Sequence, residues 1–352
     1  MSEINYSFVP AGSVVVAEPG KVYVDVGNDF GPGVLDHHHP DAPDACASLL
    51  ALNHPDLILS QRIPLQTVTI LTHQYPDLDA IGSAWFASRH LHNEDFTDAD
   101  EMIADYICAI DRGYTTLHPD RPLTAYAVMM MRLDKIYSSQ QETDEKSLNA
   151  LLSGFEILDT FSNHIKFSND LNDSDWVSKL PGIQQEINAI SEDLNLYKKD
   201  IAKAKIFECQ LPRKDGVGHE PVKGIRITQP ESRLFKSWAR GDAKNSQSSG
   251  FVFSVIQLTH SRTIISVSPE SNVFLKGLGD ILEQAETEQR QLEGRMIVGE
   301  NRPGYNSPDP WYDGRSPLHD FTIIDSPRSG TVLDLETIML CIDQYCRSNE
   351  QA

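Results

Sequence analysis

The chain is short of cysteine and of positive charge, and it has no long apolar run. Its five cysteines (Cys46, Cys108, Cys209, Cys341, Cys346) are scattered through 352 residues with no CxxC pair. That is poor material for a disulfide framework or a thiolate zinc site. No stretch approaches the roughly 18 uninterrupted apolar residues that a membrane span needs. The opening residues, MSEINYSF, have neither a basic nor an apolar leader region, so no secretory signal is expected. A reducing, cytoplasmic setting is the default. Lys and Arg number 30 against 51 Asp and Glu, a net charge of −21. The deficit is lopsided: residues 1–204 carry 13 basic and 31 acidic side chains, residues 205–345 carry 16 and 19. An N-terminal part this acidic repels a long polyanion, because nucleic-acid affinity rests largely on Lys and Arg neutralising phosphates. Solubility alone accounts for such a surface. Alternatively, some of the carboxylates hold divalent cations, which would invert the local field.

What is present reads as a globular α/β chain long enough for two domains, each with its own core. KVYVDV at 21–26 and TVTILT at 67–72 have the texture of short buried strands. Residues 44–53 and the AIGSAWFASRHL segment from Ala80 carry helical spacing, and further helical patterns run through 99–111, 122–138 and 145–165. Strands alternating with helices predict a parallel sheet covered by helices on both faces. A polar stretch at 170–178 precedes a long helical pattern with Ile183, Ile187, Ile190, Leu194, Tyr197 and Ile201 three and four residues apart. This reads as a connecting helix over about 178–204. Beyond 205 the texture changes to strand-like runs (KIFECQL, GIRIT, GFVFSVIQL, RTIISVS), then a helix at about 271–293 and a Gly/Pro-rich loop at 299–317. The expected division is therefore 1–200 and 205–352, the second a smaller α+β domain.

Four segments carry candidate chemistry. In LTHQYPDLDAIGSAW, His73, Asp77 and Asp79 follow the end of a strand as H-x3-D-x-D and precede a helix. Open α/β sheets place their sites at this carboxyl edge. One imidazole and two carboxylates suit Mn²⁺, Fe²⁺, Zn²⁺ or Co²⁺ better than Ca²⁺. The same acids serve equally as caps of the following helix, with Asp79 placed as N-cap. In VYVDVG, Asp25 ends an apolar strand, where a lone carboxylate is costly unless it is paired, bound to metal or bonded to the next turn. In VLDHHHPDAPDA, Asp36, His37, His38 and His39 follow a short apolar strand. In YICAIDRGY, Asp111 ends an apolar stretch and has Arg112 as a neighbouring partner.

Together these segments resemble the DHH phosphoesterase superfamily, which includes RecJ-type nucleases, nanoRNases, family II inorganic pyrophosphatases and the melanocyte-proliferating-gene exonucleases. The resemblance covers roughly residues 20–115; VDVG, DHH and AIDRG look most similar to the last group. It implies two divalent cations, commonly manganese, with Mg²⁺, Co²⁺ or Fe²⁺ as alternatives. It further implies His73 and Asp77 as ligands of the first and Asp79, His37 and Asp111 as ligands of the second, with Asp25 bridging. Asp36 would orient the histidines and His38 would face the substrate phosphate; His39 has no counterpart. In the family the H-x3-D-x-D motif comes first, whereas here it follows DHH, so the order looks circularly permuted. Such a change keeps ligand positions if the sheet is preserved.

The implied reaction is two-metal hydrolysis of phosphodiester or phosphomonoester bonds by a metal-bridging hydroxide. The first domain would be catalytic and the second would select substrate. In NRPGYNSPDPWYDGRSPLHDF, Arg302 and Arg315 offer donors to phosphate and Tyr305, Trp311 and Tyr312 offer rings for stacking; Arg328 is a further phosphate candidate. A structural loop with its aromatics in the core is the equal alternative. The GGGH-type glycine run of nucleic-acid-binding relatives is absent, and neither KGLG at 276–279 nor the pair at 213–214 replaces a family signature. The expected partner is a small nucleotide or short single-stranded oligonucleotide, with no long duplex and no membrane; a homodimer stays open. Alternatives are a pyrophosphatase-like hydrolase of small phosphates and a non-catalytic nucleotide sensor on the same scaffold.

Overall fold

The computed structural model describes residues 3–37, 43–63, 66–114, 116–166, 170–295, 305, 308–315 and 319–349. The chain forms two compact units of similar size, 1–112 with 122–190, and 113–121 with 191–352. Both are mixed α/β. Residues 113–121 join the second unit through bonds such as Leu117 N–H to the Ser237 carbonyl (3.2 Å) and Arg240 to the Gly113 carbonyl (3.2 Å). No single boundary along the sequence expresses that excursion. Among the described residues no helix is long and apolar enough to cross a membrane.

The first unit holds a five-stranded sheet built from β1 (Ile4–Val9), β2 (Lys21–Val24), β3 (Phe30–Gly31), β4 (Val34–Leu35) and β5 (Val68–His73). Its order is β1-β5-β2-β4-β3. The first four strands in that order run parallel, and β3 pairs antiparallel with β4 at the edge. The strand expected over 21–26 stops at Val24, because the chain reverses there. Asp25, Gly27 and Asn28 all take positive φ, so the backbone turns back along β3 before β4 runs forward again beside β2. Asp and Asn tolerate this left-handed conformation better than other non-glycine residues. The edge strand β1, which alternation in INYSFV encodes only weakly, goes unpredicted.

Helices α1 (Ala47–Asn53), α2 (Pro55–Leu59), α3 (Leu78–His92), α4 (Asp98–Asp111), α5 (Ala125–Tyr137), α6 (Thr143–His164) and α7 (Ser174–Val177) complete the first unit. In α3, residues 78 to 88 are all buried, as expected of a helix packed on several sides. Its small residues make this feasible. A Cβ on Gly82 would lie 2.4 Å from Ser48 Oγ and 2.6 Å from Ile107 Cδ1, while a Cβ on Gly154 of α6 would lie 2.5 Å from Ile81. The N-cap of α3 is Asp77, which accepts from the Asp79 and Ala80 N–H groups (both 3.1 Å), and not Asp79. Asp79 is thereby released from capping its own helix and turned to another task.

Within α8 (Gln184–Lys203) the chain passes from the first unit to the second. The second unit continues with β6 (Lys205–Pro212), β7 (His219–Thr228), α9 (Phe235–Gly241), α10 (Ala243–Ser246), β8 (Phe253–Thr259), β9 (Arg262–Val267), α11 (Leu278–Leu292), β10 (Ile323–Asp325) and α12 (Leu335–Asn349). Its sheet has the order β10-β9-β8-β7-β6, antiparallel except for the β7–β8 pair. The buried Asp193 accepts from Ser232 Oγ (2.9 Å), the Arg233 N–H (2.7 Å) and Trp238 Nε1 (2.8 Å), fixing the start of α9.

The close contact at Gly82 gives a direct test of this packing. Gly82→Val forces α1 and α4 away from α3, and such overpacking costs about 1–3 kcal/mol. The urea midpoint of the first unit falls accordingly; an unchanged midpoint would show that the three helices have slack.

Candidate metal centre

Three adjacent parallel strands deliver the central groups to one edge of the first sheet. His73 is the last residue of β5, Asp25 follows β2 directly, and Asp36 and His37 follow β4. The N-terminus of α3 adds Asp77 and Asp79, and the last residue of α4 is Asp111. A carboxylate at the negative end of a helix dipole is electrostatically unfavourable without compensation.

Asp25 occupies the middle. Its Oδ1 lies 3.2 Å from His37 Nε2 and its Oδ2 lies 3.3 Å from His73 Nε2. His73 Nε2 also lies 3.9 Å from Asp77, and His37 Nε2 lies 3.8 Å from Asp79 and 4.0 Å from Asp111. Two trios result, Asp25–His73–Asp77 and Asp25–His37–Asp79, each with its ligand atoms within 4.8 Å of one another. They share Asp25. His73 Nδ1 is 3.0 Å from the Gln74 carbonyl, so with the proton on Nδ1 it donates there and leaves the Nε2 lone pair facing Asp25 and Asp77. Asp25 itself sits at φ +56°, a conformation costing on the order of 1–3 kcal/mol that tends to occur at functional sites.

Asp79 bridges two structures. Its Oδ2 accepts from the Ala47 N–H (2.7 Å) and its Oδ1 from the Ser48 N–H (2.8 Å), so it supplies the acceptor that the α1 N-terminus lacks from its own Cys46. Asp36 is buried and accepts from the Asn28 N–H at 2.7 Å, holding the reversal after β2.

The electrostatics are those of crowded buried acids. Burial alone would raise Asp25, but the hydrogen bonds of His37 and His73 hold it well below the usual carboxylate range. Burial and the Asp25 charge push Asp79 up to about 7. Burial and the Asp79 charge raise Asp111 well above its ordinary value, and its buried Oδ2 accepts no hydrogen bond. Burial, the largest single effect, would lower both imidazoles, but the hydrogen bond with Asp25 and the charges of the surrounding aspartates together outweigh it: His37 rises well above 6.5 and His73 rises to about 10. Among the described residues, the ion pairs of these carboxylates are with His37 and His73 only. The donor set, mixed imidazole and carboxylate with an orphaned buried oxygen, fits divalent cations of the Mn²⁺ type.

His38 and His39 lie outside the described residues, as does Arg302. Of the other second-unit candidates, Trp311, Arg315 and Tyr312 have structural partners for their side chains. Trp311 is 1% exposed within the core that includes Phe253, Leu282 and Tyr345, so it is a core side chain and not a stacking platform. Arg315 makes a two-pronged ion pair with Asp313 (both bonds 2.9 Å) and lies 3.9 Å over the Tyr305 ring. Tyr312 packs against Tyr305 and edge-on against His319. Arg328 has an exposed side chain, and its N–H donates to Asp309 at 2.6 Å.

Residues not singled out from the sequence surround the acids. A cavity of about 370 Å³ is lined by Asp77, Asp79 and Asp111 on one side and by Tyr75, Tyr126 and Met130 among others. The α5 pattern that supplies it is an ordinary amphipathic stripe, which in a sequence reads as core. Comparison with family models, characterised proteins and solved structures finds no match to this chain.

In the metal-free state Asp79 keeps its proton to about pH 7 and His73 to about pH 10. Because their folded values exceed the unfolded ones, they favour the fold at low pH and cease to as pH rises through those values. A cation reverses the sign, since it must displace these protons. The rise in Tm produced by Mn²⁺ therefore grows between about pH 5.5 and pH 8. A rise that is constant or shrinks over that range would mean the cation binds elsewhere.

Proposed function

We propose that the chain is a two-metal phosphoesterase of the DHH type with permuted motif order, hydrolysing phosphodiester or phosphomonoester bonds of small nucleotides or short single-stranded oligonucleotides. The reading is carried by one observation: Asp25 presents its two oxygens to two imidazoles, each paired with a further aspartate. A carboxylate so placed is shared by two adjacent sites. His73, Asp77 and Asp25 would hold one cation; His37, Asp79, Asp111 and Asp25 would hold the second. The cations, manganese or a similar ion, supply neutralisation of the phosphate oxygens and acidification of the attacking water.

The residues have their own tasks around that chemistry. The left-handed turn at Asp25 fixes the direction of its carboxylate, and the Gln74 carbonyl sets the His73 tautomer. Asp79, anchored by two N–H groups at the start of α1, cannot swing away. The acidic surface of the N-terminal part disfavours long duplexes, leaving small phosphate esters as substrates.

The decisive measurement is Mn²⁺-dependent release of p-nitrophenol from bis-p-nitrophenyl phosphate. Asp25→Asn and Asp77→Ala should each lower kcat/KM more than about 100-fold, since loss of a mere supporting partner already costs 10–100-fold. Circular dichroism establishes that the variants remain folded. Wild-type protein that binds Mn²⁺ and nucleotide tightly yet releases no p-nitrophenol would mark a sensor and overturn the assignment.

A further inference from the structure

We infer that the cavity beside the carboxylates receives an uncharged planar ring carried by the phosphate ester, a nucleobase in the case of a nucleotide, and shuts out a second phosphate. This rests on the phosphoesterase reading and specifies the organic group that the same site accepts. Its walls come from two helices. On α5, Tyr126, Met130, Leu133, Asp134 and Tyr137 recur three and four residues apart and so share one face. On α4, Ile107 and Ile110 stand in the turn that ends at Asp111. The cavity is therefore continuous with the proposed metal ligands Asp77, Asp79 and Asp111, which form its acidic side. At about 370 Å³ it falls in the range of roughly 300–1,000 Å³ typical of small-molecule sites.

Two of its tyrosines, Tyr75 and Tyr137, are held in place. The Tyr75 N–H donates to Ser147 Oγ (2.9 Å), its hydroxyl pairs with Thr143 Oγ1 (3.1 Å), and its ring meets Tyr137 edge-on at 5.7 Å. The Tyr137 hydroxyl donates to the Pro76 carbonyl. Tyr75 is 46% exposed and takes φ +55°, a placement that apolar burial does not explain. Aromatic faces already fixed lose little freedom when a ring stacks on them. Met130, unbranched and polarisable, suits the surface of a flat ring.

Charge selects against the alternative. Among the described residues the lining contains no Lys, Arg or His, and it includes Asp134. A phosphate held at the cations is neutralised there. A second phosphate reaching into the cavity would meet, among the described residues, apolar walls and the Asp134 side with no cationic side chain to replace its hydration, which is unfavourable. Pyrophosphate and polyphosphate are thus poor occupants, whereas the exocyclic amino group of a base would face acceptors.

The test uses the full-length, Mn²⁺-loaded protein and two substitutions, Met130→Trp to fill the cavity and Met130→Ala to enlarge it. Mn²⁺ binding, read by electron paramagnetic resonance, should be the same in all three proteins. By calorimetry, Met130→Trp should weaken AMP binding about tenfold or more and leave pyrophosphate within about twofold, and Met130→Ala should weaken AMP severalfold. Equal losses for AMP and pyrophosphate, or AMP binding indifferent to both substitutions, overturn the inference. So does tighter binding of phosphocholine than of AMP, which would make the cavity a cation cage. If Met130→Trp loses Mn²⁺ and hence its fold, Met130→Ala decides alone. Wild-type cleavage of bis-p-nitrophenyl phosphate with AMP binding indifferent to position 130 refutes the ring site and leaves the enzyme. Position-dependent AMP binding without any cleavage does the reverse.

Discussion

A single carboxylate facing two imidazoles organises the first unit. Asp25 can do this only because β2 ends abruptly and the backbone turns left-handed at that residue, so that its two oxygens point to neighbouring strands on either side. β5 brings His73 from one flank and β4 brings His37 from the other. Had β2 continued one residue further in extended conformation, alternation would have carried the Asp25 side chain towards a face of the sheet and away from its edge. The reversal in turn depends on Asp36, whose carboxylate takes the Asn28 N–H. One short loop thus sets both the conformation and the chemistry.

Around this centre the protein tolerates acids that would otherwise repel each other. Asp79 and Asp111 are driven towards the neutral form by burial and by the charges beside them, and the imidazoles towards the charged form by Asp25. The arrangement is electrostatically unsatisfied as a set of side chains. Cations of charge two would satisfy it, which is why we favour a metal centre over a purely structural acid network. Asp79 shows how such a group is kept in position: its two oxygens end the search of the α1 N-terminus for acceptors. The closeness of α1, α3 and α4 that makes this geometry hold comes from Gly82, with no side chain to separate them.

Much of the element pattern was legible before the structure. The strand at Val68–His73 and the helices Leu78–His92, Asp98–Asp111, Ala125–Tyr137 and Thr143–His164 follow from apolar spacing within a residue or a few. The edge strand Ile4–Val9 and the helix Leu335–Asn349 escaped, the former because it pairs on one side only. The alternative in which the acids of H-x3-D-x-D cap their helix places Asp79 at the N-cap, whereas Asp77 takes that position, because both are acids at the mouth of one helix and spacing cannot say which turns inward. Of the two equal readings of the 301–321 loop, stacking ring or core aromatic, Trp311 follows the second; composition cannot distinguish an aromatic that is covered from one that is not. The assignment of 113–121 to the second unit has no linear signal at all.

The sequence by itself determined which chemical groups are available: His and Asp clustered where strands give way to turns, within a part of the chain poor in cations. Residue type and local spacing carry that information, because strand ends and helix starts are local events. Only the tertiary structure decided that Asp25 stands between His37 and His73, that Asp79 reaches back to α1, and that a stripe on α5 opens onto a cavity. Those relations depend on which strands become neighbours and how closely helices approach, and both are settled by packing between residues distant in the chain.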